Sequence, residues 1–249
     1  MFHEKKYQNI EPNEQSIVDL HEGNFWRVES FQSINLYILR RELETKDKII
    51  NSAEELFMQY GIRSVTMDDV ARQSAMSKKT IYQYFDNKDS LVLAVAVAHF
   101  ESEKEEFIGL EDQAVDAVHE LIMVSQCIRK HVYKMNPSLL FDMQKYHGSS
   151  WDAYLAFKNG TIRGHIARNI ERGKKEGLFR EEIDSEILSI FRVEQVQLVF
   201  NPSIFPPNKF DFRRIQLQIL DHFVNGLLTD EGRTKYKEYT NEKSLIAEV

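Results

Sequence analysis

Thr66 to Phe85 constrains the fold of this chain more tightly than any other stretch. It reads Thr-Met-Asp-Asp-Val-Ala-Arg-Gln-Ser-Ala-Met-Ser-Lys-Lys-Thr-Ile-Tyr-Gln-Tyr-Phe, two short helices around a tight corner. Thr66 is a good N-cap for a helix through Gln73, with Asp68 and Asp69 in the first turn where the helix dipole favours negative charge. Ser77 caps the second helix, which opens on Lys78 and Lys79. Cations are misplaced at the positive end of a dipole, a cost easier to understand if a polyanion sits there. Met67, Val70, Ala71, Met76, Ile81 and Phe85 are spaced to build a small core with the preceding helix. Lys78, Lys79, Thr80, Tyr82, Gln83 and Tyr84 then face outward in some combination, and their donors suit phosphates and base edges. A helix pair of this size is too small for a catalytic scaffold and suits placement of a polar helix in the major groove of DNA. A purely structural corner in a helical bundle is the competing reading.

The flanking periodicity is helical throughout. Ile49, Ala53, Leu56, Phe57 and Tyr60 share a face in a helix from Lys46, stopped by Gly61. Asp86-Asn87 begins a longer helix to about Phe107, and another is expected from about Gln113 to Tyr133, ending before Asn136-Pro137. Helices follow from Pro137 to Tyr146, from Trp151 to Lys175 with a stop at Gly177, from Asp184 to Phe200, and from Phe210 to Leu228. Gly160, Gly164 and Gly173 weaken the Trp151–Lys175 helix by about 1 kcal/mol each relative to Ala, so a kink or a close packing contact is expected there. Pro202, Pro206 and Pro207 mark a loop. No strand pattern competes, and the fold class is all-α. The expected division is an extension over 1–44, a helix-turn-helix domain over 45–107, a helical regulatory and dimerisation domain over 108–230, and a tail over 231–249. The extension has no clean period, and reads either as weakly ordered or as a start assigned too early.

Composition bears on the choice of partner. The formal net charge of −7 opposes DNA binding unless it is unevenly spread. From Arg63 to Lys88 five cations face three acids, whereas from Glu101 to Glu120 eight acids face one lysine. The acidity therefore lies outside the helix pair. The longest apolar run, Leu91–Ala98, has eight residues and cannot span a bilayer. The opening Met-Phe-His-Glu-Lys-Lys lacks an export-signal pattern, and the single cysteine, Cys127, cannot pair within the chain, so the cytoplasm is the expected home.

Lys46 to Phe107 resembles the N-terminal domain of the TetR family of transcriptional regulators. The resemblance is carried by Ala53-x-x-Leu56-Phe57-x-x-Tyr60-Gly61, Thr66-Met67-Asp68-Asp69-Val70-Ala71, Ser77-Lys78-Lys79-Thr80-Ile81-Tyr82-x-Tyr84-Phe85 and Lys88-x-x-Leu91. It covers about a quarter of the chain directly. It implies that Thr66 and Lys88 touch phosphates, and that Lys78, Lys79, Thr80, Tyr82 and Tyr84, with Ser77 and Gln83 beside them, lie at the groove of a double-stranded operator. One departure stands at the corner, where Ala75 occupies a position that the family often gives to glycine. If that backbone needs a positive φ, alanine costs on the order of 1 kcal/mol.

The resemblance also implies a homodimer on a palindromic operator, acting as a repressor, with the last two strong helices pairing across a two-fold axis. Ile187, Phe191 and Val196 on the first, and Ile215, Ile219 and Phe223 on the second, are the expected interface; an intrachain core is the alternative. A small-molecule effector, apolar or planar, is expected in the C-terminal domain. Its candidate lining is Cys127, His131, Phe141, Met143, Trp151, Tyr154, Phe157 and His165, residues that plain core would also explain. Cys127 and His131 share a helical face but are too few to hold a metal, and no cofactor is expected. His99, His119 and His147 read as ordinary surface or boundary residues. No Gly-rich phosphate loop, Gly-x-Ser-x-Gly elbow or His-Glu-x-x-His pair argues for an enzyme. A helical protein-binding adaptor remains the rival class.

Overall fold

The computed structural model describes residues 25–132, 135–136, 138–199, 201, 203–206 and 208–241, with backbone alone at 25–35, 129–132, 213 and 241. Two compact units divide the chain, 1–45 and 46–249. Within the first unit the described residues are helical, and Leu36, Tyr37, Leu39 and Leu43 are exposed on that helix. Arg40 pairs with Glu44 one turn on at 3.0 Å. The first helix, α1, is Phe25–Tyr60, so the part of the expected extension that is described is helix.

In the second unit α1 stops at Gly61, whose φ of +78° is the left-handed conformation expected of a helix C-terminus. Two short helices follow, α2 (Met67–Gln73) and α3 (Lys78–Tyr84), and then α4 (Lys88–Gln113). Asn87 caps α4 in a reciprocal pair with Ser90. Ile49, Ala53 and Phe57 of α1 pack with Val70, Ile81, Leu91 and Val95 into one core, which Met143 and Tyr154 complete from later in the chain.

The remaining helices are α5 (Ala117–Val132), α6 (Leu139–Tyr146), α7 (Gly148–Ala156), α8 (Arg163–Lys175), α9 (Ser185–Val199) and α10 (Phe212–Leu227). A π-helical segment, Phe157–Ile162, joins α7 to α8 and contains Gly160. The irregularity expected in the Trp151–Lys175 stretch is thus a widened turn, a form that recurs at functional sites. Gly173 serves closeness of approach, because a Cβ there would lie 2.1 Å from Cδ2 of Phe179, a fully buried ring.

A second core joins α5, α8 and α10 through Val118, Ile170, Phe179, Val224 and Leu227. The expected tail from 231 is instead helical: α11 is Asp230–Asn241. Tyr236 and Tyr239 pack it on this core, and the Tyr239 hydroxyl donates to Asp116 at 2.6 Å. Among the described residues no strand occurs, and the one extended pairing is an isolated bridge between Phe179 and Leu228.

Candidate nucleic-acid interface and effector cavity

The geometry of the corner follows from its caps. The Thr66 hydroxyl accepts from the Asp69 backbone N–H at 3.2 Å and donates to the Asp69 carboxylate at 2.6 Å, while the Thr66 N–H donates to the same carboxylate at 2.8 Å. Those two Thr66 hydrogen bonds, with help from Arg72, hold the Asp69 carboxyl down at about 2. At the other end of α2, the Ala75 N–H donates to Arg72 O (3.1 Å) and the Met76 N–H to Ala71 O (2.9 Å). That is a Schellman ending, and it demands a left-handed residue at Ala75. Ala75 has φ +55°, the one non-glycine positive φ among the described residues. The strain anticipated for alanine at this corner is therefore present.

Ser77 then caps α3, accepting from the Thr80 N–H at 3.1 Å. Ile81 is buried beneath α3, and Tyr84 and Thr80 are half-buried. Ser77, Lys78, Lys79, Tyr82 and Gln83 are exposed together. Lys78 reaches back across the corner to Asp68 at 2.8 Å, which raises its pKa through that hydrogen bond. Among the described residues Lys79 has no ion-pair partner, so it offers the less compromised cation of the two.

Two residues expected at phosphates are engaged within the protein. The Thr66 hydroxyl is committed to its cap. Lys88 Nζ donates to Ile62 O (2.5 Å) and Val65 O (2.6 Å), pinning the start of α4 to the loop after α1. Burial lowers the Lys88 pKa, against the pull of Asp142, Asp89 and Asp69. Lys88 thus serves first as a brace, with two of its three donors spent on loop carbonyls, of which Ile62 O also accepts from the Val65 N–H at 3.4 Å.

Behind this head lies a cavity of about 200 Å³, lined by residues of α1, α4–α10 and the π-helical segment. Met143, Tyr154, Phe157 and His165 line it as expected residues. Cys127, Phe141 and Trp151 are not part of this lining. Cys127 is buried in a cluster with Phe107 and Phe157, and Trp151 packs against Tyr154 at the edge of the head core. Phe141 turns outward, 47% exposed, because α6 presents Leu139, Leu140 and Met143 inward. The His131 side chain lies outside the described residues.

Sequence reasoning missed the charged part of the wall. His99, expected at the boundary, sits between Glu54 of α1 (2.7 Å) and Glu103 of α4 (3.4 Å). Burial opposes its charge, but hydrogen bonds to Glu103 and Glu54 prevail and raise its pKa to about 10. His99 is half-buried, whereas His147, outside the cavity lining, is buried 2.7 Å from Asp89 at the start of α4. Lys158 of the π-helical segment reaches Glu194 at 2.7 Å and Gln197 at 2.6 Å. Burial, with Glu194 and Glu103 nearby, pushes the Tyr154 hydroxyl up to about 12. Arg192 of α9 lines the cavity with its guanidinium over the Phe223 ring.

Glu111, Glu120 and His165 gather their ligand atoms within 4.8 Å of one another. His165 Nε2 lies 3.1 Å from Glu120 Oε1 but outside hydrogen-bonding geometry. Glu120 is 1% exposed; burial would raise its pKa, yet His165, Asn169 and Arg172 together lower it. Arg168 meets Glu111 and Arg172 meets Glu120, each at 3.1 Å, so a metal would have to displace two guanidinium groups.

The expected interface residues divide. On α9, Ile187 (62% exposed) and Phe191 (52%) form an outward stripe with Ile190 and Leu198. Val196 faces the cavity, and Ile215 and Phe223 of α10 are buried within the chain. Ile215 and Phe223 are core and not surface, and Val196 is half-buried on the side of α9 that lines the cavity. Ile219 is half-buried.

Residues 49–95 match the family model of bacterial regulatory proteins, tetR family. Over 189 residues the chain is 24% identical to the HTH-type transcriptional regulator YvaF of Bacillus subtilis, spanning 74% of this chain and 96% of that protein. It is 23% identical over 159 residues to the HTH-type transcriptional repressor KstR2 of Rhodococcus jostii, spanning 57% and 71%. Among solved structures, reduced NemR of E. coli superimposes with a TM-score of 0.64 at 12% identity, covering 75% of this chain and 98% of NemR. FadR of Bacillus subtilis in complex with stearoyl-CoA superimposes with a TM-score of 0.57 at 15% identity, covering 72% and 97%. At these identities the solved structures establish a shared fold.

Proposed function

We propose that this chain, a TetR-family transcriptional regulator, binds a two-fold-symmetric operator as a homodimer and represses until a small molecule fills the cavity behind its head. The observation that carries the reading is the exposed polar face of α3, with Ser77, Lys78, Lys79, Tyr82 and Gln83 aimed outward by a capped corner. Hydroxyl, amine and amide donors on one short helix fit phosphate and base-edge contacts in a major groove. One such helix reads few bases, and two-fold pairing doubles the site with half-sites about 34–36 Å apart. The Ile187–Ile190–Phe191–Leu198 stripe of α9 is the surface best suited to that pairing.

The same contacts supply a path from cavity to head. Leu139, Leu140 and Met143 of α6 line the cavity. The Asp142 carboxylate of α6 accepts from the Arg63 N–H at 3.4 Å, and His147 just beyond α6 holds Asp89 at the start of α4. The Asn136 N–H before α6 donates to Met58 O at 2.8 Å. A ligand that binds better to one position of α6 than another would shift the head by its differential affinity, and by no more than that.

The test is Lys79→Glu. It should abolish binding to the DNA flanking the protein's own coding region while leaving the far-UV circular dichroism and the melting temperature unchanged. Wild-type affinity in that variant would overturn the assignment of α3. Sedimentation at micromolar concentration should give a dimer for the wild type and a shift toward monomer for Phe191→Glu.

A further inference from the structure

Besides Tyr154, whose hydroxyl stays neutral, six chargeable side chains line the cavity: Glu54, His99, Glu103, Lys158, His165 and Arg192. Five of them meet an opposite charge. His99 lies between Glu54 and Glu103, Lys158 reaches Glu194, and His165 lies beside Glu120. Arg192 is the exception. Its side chain is 8% exposed, its Nη1 has no hydrogen-bond partner, and no carboxylate pairs with it among the described residues. Burial alone acts on its pKa, lowering it to about 10, so the guanidinium stays charged at neutral pH. Its visible neighbour is the Phe223 ring, 5.2 Å away. A cation–π contact offsets less than the cost of stripping water from an unpaired ion, so the apo protein holds this charge at a loss. The lining contributed by α9 and α10 is otherwise apolar, with Val193, Val196, Leu220 and Phe223.

We infer that the cavity binds a small amphipathic monocarboxylate, its carboxylate held by Arg192 and its apolar body lying among the aromatic and aliphatic side chains of the wall. A planar fork of N–H donors matches a carboxylate with two parallel hydrogen bonds. A single uncompensated cation balances a monoanion and leaves a phosphate dianion half unpaired. The volume of about 200 Å³ lies below the range of roughly 300–1,000 Å³ usual for drug-sized ligands, which favours a medium-chain or arylalkyl acid over a long chain. The inference rests on the effector-cavity reading above and names the class of effector.

The experiment is displacement of the neutral dye Nile red from the full chain at pH 7.5 by octanoate, octan-1-ol and octylamine, with operator release measured in parallel. Octanoate should bind about 10- to 100-fold more tightly than octan-1-ol, the range of a charge-assisted hydrogen-bond pair. Arg192→Met should remove that preference while leaving octan-1-ol unchanged, and Arg192→Lys should keep part of it. Arg192→Met should also melt no lower than the wild type without ligand, since an unpaired buried charge has been replaced by an apolar chain. Octanoate binding no better than octan-1-ol, or equally well to Arg192→Met, would overturn the anion assignment. If octan-1-ol alone displaces the dye and releases the operator, the cavity remains an effector site and the carboxylate class is wrong. If none of the three displaces the dye or weakens DNA binding, both readings fail.

Discussion

The head and the cavity wall solve opposite problems with the same kind of helix. In the head, short-range pairs close almost every polar end: Thr66 with Asp69, Ser77 with Thr80, Asn87 with Ser90. Lys88 satisfies two loop carbonyls, and strain is confined to Ala75. The cavity wall is held by contacts between residues far apart in sequence, and it keeps two buried polar atoms without hydrogen-bond partners, Arg192 Nη1 and His165 Nε2. A surface that must present one fixed shape to DNA is assembled locally and closed. On the proposed reading, a region that responds to a ligand is left incompletely satisfied, because bound atoms can then contribute what the protein lacks.

Changes on the two sides of this comparison should therefore differ in size. The largest loss of stability is expected from Gly173→Leu, where the new side chain meets the buried Phe179 ring; overpacking at such a contact costs about 3 kcal/mol or more. Calorimetry should show α8 and its neighbours melting early, and an unchanged melting curve would mean that the second core is looser than described. Gly61→Ala should cost about 1–2 kcal/mol through its positive φ.

His99 of α4 ties that helix to Glu54 of α1 and also meets Glu103 one turn on, where the head forms part of the cavity wall. Its pKa is raised from 6.5 to about 10. A histidine whose pKa is raised on folding contributes stability that is complete below its unfolded value and is lost as pH climbs through the folded one. The melting temperature should accordingly fall as pH rises from about 7 to 10 in the wild type, and fall less in His99→Gln. Parallel pH profiles for the two proteins would contradict the charged bridge. The smallest effect is a gain: Ala75→Gly should stabilise by about 0.5–1 kcal/mol, because relief of the left-handed strain outweighs the added freedom of the unfolded chain. Loss of stability there would show that Ala75 makes a contact its exposure does not suggest.

Legibility from sequence follows the same divide. The helices of the head were readable because their caps and stops lie within three or four residues of what they cap, and even the awkward alanine was visible as a departure. The π-helical turn at Gly160 was foreseen only as an irregularity, since helix width depends on what packs beside it. α11 is not legible, as Asp230–Asn241 is strongly polar and its hydrophobic anchors on the second core, Tyr236 and Tyr239, are few. Arg192 lies between Phe191 and Val193, and nothing local says that Phe191 turns outward while Arg192 and Val193 turn inward. That choice is made by α10 through Phe223. Ile215 and Phe223 fit either a dimer interface or an intrachain core for the same reason: an apolar stripe does not record whether it meets its own chain or another.

The central claim is that the exposed face of α3 contacts DNA phosphates and bases. Its most direct test is the affinity of the wild-type protein for its own flanking DNA, measured by fluorescence anisotropy from about 50 to 200 mM salt. The account predicts a specific complex whose log affinity falls steeply and linearly with log salt, as expected when several phosphates are neutralised. Absent binding, or an affinity indifferent to salt, would contradict it.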